Sequence, residues 1–305
     1  AIGVSAGDAL TSGKNNVAIG KDAFTRAAAA NEIIAIGNNA AGQNTVTTGA
    51  DGTVAIGFFA LGDLSSGANN VAIGYEALRA EDANSENTAV GYQALKTQNG
   101  ADGNTVVGFR AGLDVTTGAA NTFVGAETAA NVTTGLDNVM MGKAAGVTTQ
   151  TTSGSVFIGR SAGNAVTTGN QNIAIGKTAL GGAATTGDNN IAIGTNAADA
   201  LTSGQLGVYI GKNAGGALTT AKENVVIGHT AFQSANSSEN FNTVIGFAAG
   251  RERDGGDGLT AIGYAALKNL QSQEGNVAVG YQAGLNATTP ADSTFIGYQA
   301  AGSGT

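Results

Sequence analysis

Hydrophobic and polar positions alternate along this chain in a repeat that runs from its first residues to its last. A glycine preceded by Ile, Val or Met recurs 18 times, at positions 3, 20, 37, 57, 74, 91, 108, 125, 142, 159, 176, 194, 211, 228, 246, 263, 280 and 297. Of the 17 intervals between these glycines, 14 are 17 residues long, two are 18 and one is 20. Such a fixed period is the signature of a repeat architecture. Columns of the repeat are numbered from this glycine, so that column −1 precedes it and column +1 follows it.

The columns before the glycine predict a short β-strand in every repeat. Column −1 is Ile or Val in 17 copies, column −2 is apolar in all 18, and column −3 is Val, Ile or Thr wherever the chain provides a residue. Asn occupies column −4 in 11 of 17 copies, Ala occupies column +3 in 17 of 18, and Gly, Thr and Asn clusters fill the remainder. These clusters favour corners and would interrupt a helix. We therefore predict an all-β fold, a parallel β-solenoid (β-roll) of about 18 coils that forms one continuous array over residues 1–305.

Side-chain alternation along the strand predicts which columns face outward. Columns −1 and −3 point to one side of a strand and column −2 to the other. We expect the β-branched columns and the Ala of column +3 to fill the coil interior, which leaves column −2 as an outward apolar stripe. Soluble monomers rarely expose such a stripe, so we expect a homo-oligomer. The predicted interface residues are Ala18, Ala72, Ala89, Phe123, Met140, Phe157, Ala174, Tyr209 and Phe295.

Composition narrows the partners and the chemistry. The net charge of −8 argues against nucleic acid, and the chain has no Cys for a disulfide or a thiolate nucleophile. No apolar run approaches the roughly 20 residues of a membrane span, so we expect no membrane insertion. The chain begins within a repeat and without Met, which indicates a processed or excerpted piece. Neither end carries a polar cap, which leaves missing flanking domains and end-to-end stacking into a filament both open.

Motifs that suggest catalysis or metal binding are explained by the repeat. Residues 3–7 and 159–163 match the G-x-S-x-G nucleophile elbow, but the serine slot is Arg110 or Gln282 in other copies, and His229 is the only histidine. We therefore predict no enzyme activity and no cofactor. Asp254 to Gly258 contains the carboxylates that Ca²⁺ prefers, but it occurs once, and a corner loop is the favoured interpretation.

Column +1 is the candidate ligand surface. Its aromatic residues fall in two runs of four consecutive coils: Phe58, Tyr75, Tyr92 and Phe109, then Phe247, Tyr264, Tyr281 and Tyr298. Between the runs the column carries Lys143, Arg160, Lys177, Thr195, Lys212 and His229. A glycan or a protein receptor is one possible partner of these rings, and packing against each other or a neighbouring chain is the alternative. Thr pairs such as Thr116-Thr117 suggest ice binding as a remote alternative, but their Gly and Asn neighbours are typical of turns.

Three segments carry a family resemblance. Asn70 to Leu78 reads NVAIGYEAL, Asn87 to Leu95 reads NTAVGYQAL and Asn276 to Gly284 reads NVAVGYQAG. They resemble the repeats of phage tail-fibre proteins and, more distantly, the head repeats of YadA-like trimeric autotransporter adhesins, and the resemblance covers essentially the whole chain. It implies three chains, each a left-handed parallel β-roll, packed around a threefold axis.

The departures from that family shape the expected function. The adhesin heads have shorter coils, and this chain lacks their heptad stalk and membrane anchor. We therefore expect a structural or adhesive fibre shaft, from a phage tail fibre or a cell-surface appendage, that positions or contributes to host or receptor attachment at the virion surface or outside the cell. A glycan-binding module that uses the aromatic runs and a self-assembling extracellular filament are the alternatives.

Overall fold

A computed structural model describes residues 1–27, 29–234, 238–252, 256–270, 274–287 and 292–301. The chain divides into two compact units, Ala1–Ser153 and Gly154–Thr305, called here unit one and unit two. Unit one contains strands β1 (Val17–Ile19), β2 (Ile34–Ile36), β3 (Val54–Ile56), β4 (Val71–Ile73), β5 (Thr88–Val90), β6 (Thr105–Val107), β7 (Thr122–Val124) and β8 (Val139–Met141), with one 3₁₀ turn at Thr48–Ala50. Unit two contains β9 (Val156–Ile158), β10 (Ile173–Ile175), β11 (Ile191–Ile193), β12 (Val208–Ile210), β13 (Val225–Ile227), β14 (Thr243–Ile245), β15 (Thr260–Ile262), β16 (Val277–Val279) and β17 (Thr294–Ile296).

Each unit is a parallel β-solenoid with a 17-residue period, as the sequence predicts. Successive strands within a unit pair in strict register, for example Ala72 with Ala89 and Ile73 with Val90. The described residues form about 16 turns rather than about 18, and the first repeat makes only an isolated bridge from Ile2 to Ile19. The long interval before Gly57 does not disturb the register, since Ala35 still pairs with Ala55. The single array over residues 1–305 stays a prediction, as do trimer state and handedness.

The faces of the strands are the reverse of the prediction. Column −2 points into the coil: Ala18 is 2% exposed, seven of the other predicted interface residues are 0% exposed, and Phe295 in the last strand is half-buried. The seven are Ala72, Ala89, Phe123, Met140, Phe157, Ala174 and Tyr209. They line the interior of their own chain and offer no surface to a second one. Burial also raises the pKa of Tyr209 to about 12.

The narrow interior explains why the small column faces inward. Columns −2 and +4 both point into it, and in most coils at least one of the two is Ala or Gly. Ala72 is matched by Leu78, whereas Phe157 is matched by Gly163, where an added Cβ would lie 2.5 Å from the ring of Phe157. Tyr209 is matched in the same way by Gly215. In these coils a large residue in one column is offset by a small residue in the other, as close packing requires. The coils with Ala35 and Ala41 or with Ala192 and Ala198 have a small residue in both columns.

Column −4 forms a buried asparagine ladder whose hydrogen bonds connect successive coils. The backbone N–H of Asn87 donates to Oδ1 of Asn70 (2.9 Å), and the N–H of Asn104 donates to Oδ1 of Asn87 (3.0 Å). The Nδ2 group of Asn87 donates to the carbonyl of Ala101 (2.9 Å) in the corner of its own coil. Each asparagine thus satisfies buried backbone groups in two coils, which an apolar residue at this position cannot do.

The repeat glycine makes the corner after each strand. Gly74 has φ +142°, and an added Cβ would lie closer than 3.0 Å to the carbonyl oxygen of Gly91 in the next coil. No other residue combines this backbone conformation with so close an approach. The corner fixes the direction of column +1, which follows directly.

Candidate functional site

The outward face of each sheet is mostly apolar, because column −1 is Ile, Val or Met in every strand and column −3 is Val or Ile in 11 of the 17 strands. Columns −3 and −1, expected inside, point outward: Val17 is 40% exposed and Ile73 is 37% exposed. The other apolar residues of these columns exposed by more than a third are Ile2, Ile19, Ile34, Val107, Met141, Val279 and Ile296. We call these two columns the β-branched stripe. An apolar stripe therefore does exist on the surface, as the sequence predicts, but other residues form it.

Column +1 lies beside this stripe and is held in line by the backbone. The carbonyl of Tyr75 accepts the N–H of Gln93 in the next coil (2.8 Å), and the carbonyl of Tyr92 accepts the N–H of Arg110 (2.8 Å). The same contact recurs in unit two, where the carbonyl of Tyr264 accepts the N–H of Gln282 (2.8 Å). Successive residues of column +1 are thereby aligned, one coil apart.

The structure brings the first aromatic run together as ladder one: Phe58, Tyr75, Tyr92 and Phe109. Successive ring centroids are 5.2, 5.1 and 5.4 Å apart, and successive ring planes differ by 11, 10 and 14°. The four residues are 40 to 48% exposed. Their rings therefore stack on the surface of unit one.

Ladder two comprises Phe247, Tyr264, Tyr281 and Tyr298 in unit two. Its successive centroids are 5.2, 5.1 and 5.2 Å apart, with ring planes 5 to 10° from parallel. The imidazole of His229 stacks on Phe247 at 5.3 Å and extends the ladder by one ring. The sequence did not indicate this role for His229, because a histidine in an otherwise basic segment of the column looks like one more solvated polar residue.

The stacked geometry determines what the ladders offer to a ligand. Within each ladder the ring faces cover one another, so the edges and the tyrosine hydroxyls are the parts turned to solvent. Sugars and bases usually stack on ring faces. Face-stacking of a glycan along either ladder is therefore hindered by the ladder itself.

A charged cluster flanks ladder one in column +2. The buried carboxylate of Glu76 accepts from Nη1 of Arg79 (2.8 Å), Nζ of Lys96 (2.8 Å) and Nε2 of Gln93 (2.8 Å). Burial alone raises the pKa of Glu76, but the hydrogen bonds from Lys96 and Gln93 and the nearby positive charges outweigh it, so the pKa is lowered. The Arg79 guanidinium also lies 5.1 Å from the ring centroid of Phe59.

Beside ladder two, column +2 is uncharged, although Arg251 and Lys268 occupy the column +5 positions that Arg79 and Lys96 occupy beside ladder one. The corresponding residues of column +2 are Ala248 and Ala265, both buried, and then Gln282 and Gln299. Nε2 of Gln299 donates to Oε1 of Gln282 (2.9 Å). The two ladders therefore share their stacking and differ in charge beside it.

A buried polar network lies inside unit one, and sequence reasoning missed it. Glu81 is 0% exposed, and its carboxylate accepts from the N–H of Asn84 (2.7 Å) and Nε2 of Gln98 (2.9 Å). Burial raises the pKa of Glu81 despite these hydrogen bonds. The equivalent column holds Leu64 and Val115 in other coils, so the only signal was a charged residue in a mostly apolar column.

A row of cations occupies column +1 of unit two before ladder two. Arg160, Lys177, Lys212 and His229 are exposed, and Thr195 is half-buried. The carbonyls of Arg160 and Lys177 accept the N–H groups of the following coils at 3.1 and 3.0 Å, as in the ladders. Lys143 lies in the same column of unit one and is exposed.

The other predicted motifs find no chemical partner. Ser161 and His229 follow strands β9 and β13, four coils apart, so they form no hydrogen-bonded pair. The described residues contain no group of three or more side chains that would hold a metal ion, and Asp254 and Gly255 of the possible calcium loop lie outside them. The hydroxyl of Thr116 donates to the carbonyl of Thr133 (3.1 Å), as corner chemistry requires.

Comparison with known proteins gives no relative. No protein-family model matches the chain, and neither the curated proteins nor the solved structures yield a match. The described residues contain no helical segment with the length and hydropathy of a membrane span. A function must therefore be argued from the geometry above.

Proposed function

We propose that this chain is a segment of a structural fibre shaft that assembles with copies of itself, in the trimer that its sequence resemblance implies. The observation that carries the proposal is the β-branched stripe, an apolar face on the outside of each solenoid unit. A shaft of this kind positions a host- or receptor-binding element, and its location is the virion surface or the outside of a cell.

Energetics favour self-association over an isolated solenoid. Each coil buries only a few apolar side chains inside, many of them alanines, which offsets only part of the conformational entropy of about 17 ordered residues. The β-branched stripe adds two partly exposed apolar residues in most coils, and one in the six coils whose strand begins with Thr. Covering them contributes about 25 cal/mol per Å² of apolar area, repeated in every coil.

A second copy of the same chain is the partner that fits this face. The stripe repeats with the period of the coils, so an identical solenoid presents matching residues at every level. Closed rotational symmetry covers the stripe on all copies at once. Glu76 lies one column beyond ladder one and its partners Arg79 and Lys96 lie in column +5, so these charges would stay near the rim of such an interface.

The test compares the outward column −1 of the strands with exposed corner positions. We expect Ile73→Glu/Val90→Glu to dissociate the oligomer while circular dichroism still reports a folded β-protein. Ala83→Glu/Asn99→Glu adds the same charge at exposed corner positions and is expected to leave the sedimentation profile unchanged. Dissociation by both pairs, or by neither, would contradict the proposal.

The glycan-binding alternative has weaker support. It rests on the exposure of ladders one and two, but the rings occupy each other's faces. Loss of polysaccharide binding in Tyr75→Ala/Tyr92→Ala would favour it, and the shaft proposal expects no such change.

A further inference from the structure

The cation row of unit two is a regular array of like charges. Strands β9 to β13 pair in register, and their last residues Ile158, Ile175, Ile193, Ile210 and Ile227 are aligned. Two residues beyond each strand end, the row therefore places a side chain on every coil, about 4.8 Å from the next. Four of the five are Arg, Lys or His: Arg160, Lys177, Lys212 and His229.

These charges have no carboxylate partner in the described residues. Arg79 and Lys96 bind Glu76, and Lys268 lies 3.9 Å from Glu252. No such ion pair within the described residues includes a member of the row. Neighbouring like charges repel, so Arg160, Lys177 and Lys212, aligned in one column, would be stabilised by an anion placed against them.

The column beside the row is polar and uncharged. It comprises Ser161, Thr178, Asn196, Asn213 and Thr230. The hydroxyl of Thr178 donates to Oδ1 of Asn196. Thr230 is 7% exposed, and its hydroxyl has no hydrogen-bond partner among the described residues. Hydroxyl and amide groups in line with a row of cations fit a ligand that carries both hydroxyls and regularly spaced negative charge.

We propose that the cation row binds a linear acidic polysaccharide that lies along the row, with its carboxylates paired with the exposed basic side chains. A uronic acid polymer carries one carboxylate on every sugar, so several of them lie within reach of the row at once. The sugar hydroxyls face the Ser, Thr and Asn side chains of column +2. Single-stranded nucleic acid fits less well, because its bases need free ring faces and those of ladder two cover one another.

The experiment measures binding of the full chain to polygalacturonate by isothermal titration calorimetry. Lys177→Gln/Lys212→Gln is expected to weaken binding about tenfold, as the loss of two exposed charge pairs implies. The matched control Lys14→Gln/Lys222→Gln removes the same charge from exposed positions outside the row and is expected to change affinity less than about twofold. Lys177→Arg/Lys212→Arg keeps the charge and should keep most of the affinity.

Three further results would overturn the proposal. Equal binding of fully methyl-esterified polygalacturonate would show that charge is not recognised. Equal binding of poly(dT) would indicate a non-specific polyanion surface. Equal loss in the row variant and its control would remove the row from the binding site. Sedimentation of the same variants is expected to match the wild type, so a failure here leaves the self-association proposal standing.

Discussion

Ladder one and ladder two occupy the same column of the repeat in different units and stack almost identically. Ring centroids are 5.1 to 5.4 Å apart in the first and 5.1 to 5.2 Å apart in the second. Their flanks differ: Glu76 and its cationic partners lie beside ladder one, whereas buried Ala248 and Ala265 lie beside ladder two. Stacking is therefore set by the backbone register of the solenoid, and charge beside the rings is added independently.

The largest expected effect comes from substituting the repeat glycine, because the corner that it forms positions the rings of both ladders. Gly74→Ala under ladder one and Gly263→Ala under ladder two each place a Cβ against the next glycine in a backbone conformation that side chains rarely adopt. We expect each to destabilise its unit by about 4 kcal/mol or more, measured by urea denaturation. A substantially smaller loss in one unit would mean that the flanks, and not the shared corner, support stacking there.

The next effect tests whether the interiors of different coils are equivalent. Phe157→Ala should cost about 3–5 kcal/mol, because it leaves a coil with no large side chain. Adding Gly163→Leu should recover most of that loss, because the double variant reproduces the Ala72 and Leu78 pairing found under ladder one. Gly163→Leu alone overpacks the coil and serves as the control. Failure of the double variant to exceed Phe157→Ala in stability would contradict volume compensation.

Lowering the pH distinguishes the residues beside ladder one from those beside ladder two, because Glu76 lies only beside ladder one. The pKa of Glu76 is lowered in the folded state, so its contribution is present above the ordinary glutamate value and is lost as pH falls through the folded value. Glu76→Gln should reduce unit-one stability at pH 7 by about 1–2 kcal/mol. It should also make the remaining stability depend less on pH in the acid range. Hydrogen exchange resolved by residue is the measurement. Gln282→Ala beside ladder two is the control, and it is expected to leave the pH dependence of unit-one stability unchanged.

Glu81 contributes the opposite pH dependence of stability in the same unit. Its pKa is raised by burial, so the folded state gains protons relative to the unfolded state and stability falls as pH rises from the ordinary value through the raised one. Glu81→Gln should remove this decline. The same hydrogen-exchange series tests it, and an unchanged decline in the variant would exclude Glu81 as its source.

The smallest expected effect tests whether ring stacking stabilises the two ladders equally. Tyr92→Ala and Tyr264→Ala each remove two ring contacts, and we expect similar losses of about 1–3 kcal/mol. Tyr92→Phe and Tyr264→Phe keep the rings and should change stability by less than about 0.5 kcal/mol. A loss confined to one ladder on Ala substitution would show that its flank, rather than stacking, supports it.

The sequence predicts the period, the strands and the two ladders because each recurs at a fixed distance from the repeat glycine. It does not reveal which face is inside, since alternation relates column −2 to its neighbours without saying where the interior is. Column −4 held the missing clue: Asn87 shares a face with Ala89, and its hydrogen bonds are made inside the coil. Volume compensation between Phe157 and Gly163 was equally hidden, because those residues are six positions apart in a coil whose cross-section the sequence does not give.

Sedimentation equilibrium of the wild-type full chain tests most directly whether sister chains cover the outward Ile and Val columns. The account predicts a single species of three times the chain mass of 29.7 kDa, stable on dilution. A species of 29.7 kDa that remains folded and soluble at high concentration would contradict it.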